Sequence, residues 1–297
     1  MKEQVNESKP VIGMIGVGVM GQSMAGHFLK NGYAVYVYNR TKSKADPLIA
    51  QGAVWQDTPG GVAAHSQIVI TMVGFPSDVE EVYFGEQGIL ARAQAGATLV
   101  DMTTSSPMLA KRIYDEAQQR GLFALDAPVS GGDIGAREAR LSIMVGGDRK
   151  VFERMLPLFQ YIGKNIVHQG AAGAGQHTKM CNQIAIASNM MGVVEALVYA
   201  ERAGLDPQTV LKSIETGAAG SWSLSNLGPR MIGGDFAPGF YIKHFIKDMR
   251  IALESAAEMG LELPGLTLAK SLYDRLASQG EGDSGTQALY KLIRAGV

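Results

Sequence analysis

The chain has 297 residues, 46% of them hydrophobic and 19% charged, with a formal net charge of −1. At roughly 150 residues per domain the length fits two domains, and the apolar fraction excludes an intrinsically disordered chain. With 27 Lys and Arg against 28 Asp and Glu there is no positive field to hold a polyanion, so nucleic acid is not an expected partner.

In chain order, the first ten residues carry Lys2, Glu3, Glu7 and Lys9 and lack the apolar centre of a signal peptide. No run of about 18 uninterrupted apolar residues marks a membrane span. The single cysteine, Cys181, cannot form a disulfide within the chain, which matches a reducing compartment. The expected location is the cytoplasm, with no membrane partner.

From residue 11 to about 168, short β-type runs alternate with helical stretches, the pattern of βαβ units on a parallel sheet. Strands are expected at 11–15, 34–38, 68–73, 98–101, 122–126, 141–145 and 165–168, with helices at 78–95, 108–120 and 150–162. After His168 the strand signals stop. The stretch GAAGAG at 170–175 reads as a hinge, and 176–297 scan as helices broken by Gly and Pro. The fold class expected is α/β, a doubly wound domain over 1–168 followed by an all-α domain over 169–297. SQGEGDSG at 278–285 reads as a surface loop.

Glycine is over-represented, at 37 residues, or roughly 12% where about 7% is usual. Gly16, Gly18 and Gly21 form G-x-G-x-x-G between the strand VIGMI and a helical stretch running to about Lys30, and with Val19 and Met20 they are the expected cofactor-binding loop. In a dinucleotide site the first glycine permits the turn, the second lets the pyrophosphate approach the backbone and the third allows close helix packing. The N–H groups at the helix start then face the phosphates. About 20 residues further on, an NAD site usually carries an acid at the end of the second strand. Here AVYVY ends in Asn39, Arg40 and Thr41. A neutral amide followed by a guanidinium suits a 2′-phosphate, so NADP is the expected cofactor, with NAD second. The alternative is that Arg40 is a solvated surface residue.

DAPVSGGD at 126–133 combines a hydroxyl with two adjacent glycines. Ser130 Oγ and the N–H groups of Gly131 and Gly132 suit an anion nest for a carboxylate; the alternative is a structural turn. Thr103, Thr104 and Ser105 follow a strand end, where the ligand crevice of a doubly wound sheet lies. The helix after the hinge, HTKMCNQIAIASNMMGVVEALVYAERAG, is apolar almost all round and is expected to be buried on most faces. Lys179 is conspicuous there. Asn182 lies about 60° and Gln183 about 40° from it, so the three share one stripe. A charge in that setting needs a partner or a wet cleft, and a lysine so placed suits proton transfer; the alternative is a lysine that snorkels to water. Asp248, next to Lys247, is either a counter-charge or half of a surface pair. The five histidines and Cys181 have no metal-ligand spacing, so no metal is expected.

GVGVMG at 16–21, DAPVSGG at 126–132, GAAGAGQHTKMCNQ at 170–183 and the KD pair at 247–248 occur in an order that resembles the β-hydroxyacid dehydrogenases. That family includes 3-hydroxyisobutyrate dehydrogenase, tartronate semialdehyde reductase, the glyoxylate/succinic semialdehyde reductases and, more distantly, 6-phosphogluconate dehydrogenase. The resemblance runs from residue 11 to about 293 and implies a Rossmann-type N-terminal domain, a helical C-terminal domain and a cleft between them. It implies Lys179 as the catalytic acid/base and Ser130, Gly131 and Gly132 as holders of the substrate carboxylate, with Asn182 or Gln183 beside the substrate. It implies Lys247 in the cofactor and substrate cleft and Thr104 near the nicotinamide. The stretch 39–41 is similar to that of NADPH-preferring members. The loop Met72-Val73-Gly74-Phe75-Pro76 stands where the family commonly reads M-L-P; Val73 and Gly74 carry its backbone contacts to cofactor. Members often place Asn four residues after the lysine, where this chain has Gln183.

The activity implied is reversible hydride transfer between NADP(H) and a small 3-hydroxy acid or its semialdehyde, in a homodimer or homotetramer. An imine or other carbonyl reductase on the same scaffold is one alternative; Lys179 argues against it, because imine reductases typically carry another residue there. A non-catalytic cofactor-binding module is the other.

Overall fold

The computed structural model describes residues 9–296, which fall into two compact units divided between Lys179 and Met180. Residues 1–8, where the lack of a signal peptide was read, lie outside the described residues.

The first unit runs β1 (Ile12–Ile15), α1 (Val19–Lys30), β2 (Val35–Tyr38), α2 (Asp46–Ile49), β3 (Val54–Trp55), α3 (Pro59–Ala64), β4 (Ile68–Thr71), α4 (Pro76–Phe84), α5 (Ile89–Arg92) and β5 (Thr98–Asp101). It continues through α6 (Pro107–Gln119), β6 (Phe123–Asp126), β7 (Val129–Ser130), α7 (Gly132–Arg137), β8 (Leu141–Gly147), α8 (Arg149–Phe159) and β9 (Gly163–Gly170). The sheet order is β3-β2-β1-β4-β5-β6-β8-β7, with β9 on β8. It is parallel from β3 to β6, whereas β8 runs antiparallel to both β6 and β7. The wholly parallel sheet expected from the sequence is therefore corrected at this end. The short stretch after β6 is spent on β7 and the one-and-a-half-turn α7, and the chain comes back in the opposite direction.

The strand IGMI of β1 is buried at every position, as a sheet covered on both faces requires. Met24 and Phe28 of α1 and Phe152 and Phe159 of α8 belong to one apolar cluster; Val79 and Tyr83 of α4 and Ile113 of α6 belong to another. The helix expected over 78–95 is two helices, because Gly85 and Gly88 interrupt it and cap their ends. β3 and β7, of two residues each, are too short to leave an alternating signal.

The first unit ends in the helix α9 (Ala174–Arg202), which runs on into the second. The second unit adds α10 (Pro207–Ile214), α11 (Trp222–Ile232), α12 (Ile242–Glu258), α13 (Pro264–Ser278) and α14 (Leu289–Ala295). Its core gathers Met190, Val194 and Leu197 of α9, Leu224 and Met231 of α11, Phe245 and Met249 of α12, and Tyr273 of α13. Among the described residues α9 alone is long and apolar enough, by length and composition, to cross a membrane, a test that a helix in the core of a globular unit also passes. It is not buried on most faces as its composition suggested: Cys181, Ser188 and Tyr199 are exposed, Tyr199 to 74%.

Candidate active site

In the glycine loop each of the three positions has its own geometric reason. Gly16 has φ +90°, and a Cβ there would lie 2.2 Å from Met72 O. A Cβ at Gly21 would lie 1.9 Å from Gly16 O, so α1 rests directly on the turn. A Cβ at Gly18, the N-cap of α1, would meet nothing within 4 Å. The middle glycine thus borders open space in front of a helix N-terminus, which fits a dinucleotide pyrophosphate. Val19 is exposed and Met20 half-buried.

Asn39 fastens this loop: its Oδ1 accepts from Val17 N at 3.0 Å, and its Nδ2 donates to the carbonyl of Thr41 at 2.9 Å. Arg40 extends into solvent, its side chain 83% exposed, and Nη1 lies 3.2 Å from Asp78 Oδ1. Asp78 also accepts from Phe75 N, at the start of α4. After β4, Val73 N donates to Thr103 Oγ1 at 3.0 Å. Gly74 and Thr104 are both half-buried.

Asp101 and Asp126 end β5 and β6 as register partners. Burial pushes the Asp101 carboxyl up to about 6, against hydrogen bonds from Thr71 and Thr103 that pull it down. Its Oδ1 accepts from Thr71 Oγ1 at 2.7 Å and Thr103 N at 3.1 Å. The phenol of Tyr83 lies 3.3 Å from Thr71 Oγ1, held well above its ordinary pKa by burial and by Asp101. Asp126 is also raised by burial, while the N–H groups of Gly173 and Gln176 favour its charged form. Lys179, on the second turn of α9, is only 6% exposed.

Ser130 and Gly131 are followed by α7, and both Gly131 (φ +128°) and Gly132 (φ +62°) occupy backbone conformations that a side chain disfavours. Ser130 pairs with Ser142 of β8. The nest that the sequence suggested therefore lies at a turn that specifically needs two glycines.

In the second unit Asn182 Nδ2 donates to Gln183 Oε1 at 2.8 Å, and Gln183 Nε2 donates to Asp248 Oδ2 at 2.5 Å. Lys247 Nζ lies 2.9 Å from Asp248 Oδ1, with side-chain exposures of 6% and 2%. The KD pair is an ion pair, and a buried one. Both ends of the Gln183 amide are used within this unit. Among the described residues no group of three His, Cys, Asp or Glu is arranged to hold a metal.

Sequence reasoning missed Asp101, Thr71 and Gln176. The local signal for the first two was an acid closing one strand opposite a threonine closing its neighbour; nothing local announced Gln176.

Two family models match. One is the NAD binding domain of 6-phosphogluconate dehydrogenase, over residues 11–170, and the other the NAD-binding domain of NADP-dependent 3-hydroxyisobutyrate dehydrogenase, over residues 173–293. The chain is 63% identical over 284 residues to an uncharacterized oxidoreductase, YkwC, of Bacillus subtilis, covering 96% of this chain and 99% of that one. It is 42% identical over 282 residues to 2-hydroxy-3-oxopropionate reductase of Escherichia coli, covering 95% and 96%. Among solved structures, the 3-hydroxyisobutyrate dehydrogenase of Mycobacterium tuberculosis, with L-serine, aligns with a TM-score of 0.89 at 30% identity over 97% of this chain and all of that one.

Proposed function

The chain belongs to the β-hydroxyacid dehydrogenase family, nicotinamide-dependent oxidoreductases of small hydroxy acids, and from that premise we propose that it reduces a small anionic semialdehyde to the 3-hydroxy acid, reversibly, with NADPH. The observation that carries this reading is Lys179: a lysine side chain only 6% exposed on the second turn of α9, one turn before two amides. A buried ammonium is there for a reason other than solubility.

The glycine loop fits a dinucleotide because Gly18 leaves open space at the start of α1; Gly16, Val19, Met20 and Gly21 shape that cradle, and Val73, Gly74 and Thr104 line its continuation along the strand ends. When bound, the nicotinamide supplies the hydride. The rest belongs to this chain. Ser130 Oγ with the Gly131 and Gly132 N–H groups holds the substrate carboxylate, which fixes the carbonyl carbon. The Lys179 ammonium hydrogen-bonds the carbonyl oxygen, stabilises the negative charge that develops on it and gives up one proton to make the hydroxyl. Lys179 is left as a neutral amine and takes a proton back from solvent; in the oxidative direction the same amine removes the hydroxyl proton.

Arg40 supports NADP over NAD, since an exposed guanidinium with no acid at the strand end suits a 2′-phosphate. Of the two amides, Asn182 is the better candidate to meet a ligand, because Gln183 is committed to Asp248. We assign cofactor binding, together with the carboxylate nest at 130–132, to residues 1–168, and the remaining substrate contacts and the subunit contacts to 169–297. The exposed apolar positions on α9 and its neighbours, Tyr199, Leu205 and Trp222 among them, support assembly as a homodimer or homotetramer. The lone cysteine supports a cytoplasmic site of action.

The test is a rate panel with NADPH and NADH against glyoxylate, succinic semialdehyde, tartronate semialdehyde and methylmalonate semialdehyde, run with wild type and Lys179→Ala. The variant is expected to lose at least about 1,000-fold in kcat while binding NADPH normally. Wild-type turnover in that variant would remove the acid from the scheme. Reduction of cyclic imines without reduction of any aldehyde would favour an imine reductase. Cofactor binding with no turnover of either would leave a non-catalytic module.

A further inference from the structure

The base of α9 is tied to the sheet by side chains that the scheme above does not use. Gly173, just before the helix, has no side chain with which to cap it. The capping carboxylate comes instead from β6: Asp126 Oδ1 accepts from Gly173 N at 2.8 Å and Oδ2 accepts from Gln176 N at 2.8 Å. The helix start is pressed on the sheet as well, since a Cβ at Gly175 would lie 2.4 Å from Met144 O and 2.6 Å from Asp126 O.

Gln176 is fully buried and its amide makes two further bonds, both to the loop after β5. Nε2 donates to Thr103 O at 2.7 Å and Oε1 accepts from Ser105 N at 2.9 Å. One side chain thus grips the backbone on both sides of Thr104. The same loop is held from below, because Thr103 N donates to Asp101 and Thr103 Oγ1 accepts from Val73 N. Without this amide two buried backbone groups, Thr103 O and Ser105 N, would be left unmatched, so Gln176 holds the loop in a specific geometry as well as contributing to its stability.

Gln176 and Lys179 are three residues apart and share one face of α9. Bonds at the N–H groups of 173 and 176, together with the side chain of 176, fix both the height and the rotation of the helix. A rotation of about 20° would carry an amine about 8 Å from the helix axis through roughly 3 Å, and about 1 Å of error at a reacting centre costs on the order of 100-fold.

We infer that Asp126 and Gln176 are positioning residues for Lys179: they join the base of α9 and the Thr103–Ser105 loop into one rigid piece, so that the amine keeps its place relative to the nicotinamide end of the cofactor site. The inference rests on Lys179 being the acid.

The experiment uses Gln176→Met, of similar length without polar atoms, Gln176→Glu, which keeps the acceptor for Ser105 N and loses the donor to Thr103 O, and Asp126→Asn. Each is made alone and in the Lys179→Ala background, and folding is checked by cooperative thermal melting. Gln176→Met and Asp126→Asn are expected to lower kcat about tenfold or more, with the NADPH Kd and the aldehyde KM within about threefold, and Gln176→Glu is expected to fall between Gln176→Met and wild type. In the Lys179→Ala background the same changes are expected to cost less than about twofold, because a residue that acts through the amine has nothing to act on once it is gone. Should Asp126→Asn or Gln176→Met fail to fold, Gln176→Glu carries the measurement. Folded single variants with wild-type kcat, or equal losses in both backgrounds, would overturn the positioning role. Wild-type turnover in Lys179→Ala alone would instead overturn the assignment of the acid.

Discussion

Asp101 and Asp126 stand side by side at the ends of β5 and β6 and are treated oppositely by the fold. Asp126 spends both oxygens on backbone N–H groups at the start of α9. Asp101 accepts from Thr71 and Thr103 through one oxygen, while its Oδ2 is buried with no hydrogen-bond partner among the described residues. Burial raises both carboxyls, but the first spends its oxygens on the start of a helix, whereas the second keeps one oxygen unmatched and bears the larger cost.

That cost gives a pH dependence of known sign. Burial raises the Asp101 carboxyl from 3.8 to about 6, so between these values the folded chain holds a proton that the unfolded chain has released. Stability is therefore lost as pH rises through the window, by up to about 3 kcal/mol once it is passed. In urea titrations from pH 4 to 6.5, wild type is expected to lose stability with rising pH relative to Asp101→Asn. Parallel curves for the two proteins would contradict a raised Asp101.

The glycine loop separates a packing glycine, Gly21, from one, Gly18, that the proposed function assigns to binding. Gly21→Ala drives a methyl onto Gly16 O, at 1.9 Å before relaxation, and should cost about 1–3 kcal/mol of stability. Gly18→Ala meets nothing and should leave the melting temperature nearly unchanged while weakening dinucleotide binding about tenfold or more. Calorimetry of both variants with and without NADPH decides it; equal behaviour would mean that Gly18 does not face the cofactor.

If Arg40 reads a 2′-phosphate, as proposed, Arg40 and its neighbour Asp78 should affect cofactor choice with unequal weight. Arg40→Asp replaces a charge-assisted partner of the 2′-phosphate and should move the NADPH/NADH preference by about 10- to 100-fold toward NADH. Asp78→Asn neutralises the partner of the exposed Arg40 guanidinium while its side-chain oxygen can still accept from Phe75 N; such a pair is worth about 0–1 kcal/mol, and its loss should favour NADPH by no more than about fivefold. The ratio of kcat/KM values for the two cofactors measures both.

Much of this site was legible because its parts are local. The glycine spacing at 16–21, the neutral strand end at 39–41 and a lysine on an apolar helix are each readable from a few neighbouring residues. Of the strands from β1 to β6 all but the two-residue β3 were readable, some of them from runs of four buried residues, as in IGMI and IVIT. What the sequence concealed depends on distant partners. Gln176 meets residues more than 70 positions earlier in the chain, Thr103 and Ser105, and Asp126 caps a helix from Gly173 N, 47 positions later and just before the first helical residue. The reversal at β8 was hidden for another reason: an alternating pattern reports which face a strand buries and nothing about its direction.

Cys181, the chain's one thiol, is exposed on α9 and points about 200° round the helix from Lys179. A fluorophore attached there would sit behind the amine rather than in front of it. Its rate of alkylation on dilution gives a direct chemical readout of whether subunits cover that flank, without any engineered handle and without altering Lys179 or its neighbouring amides.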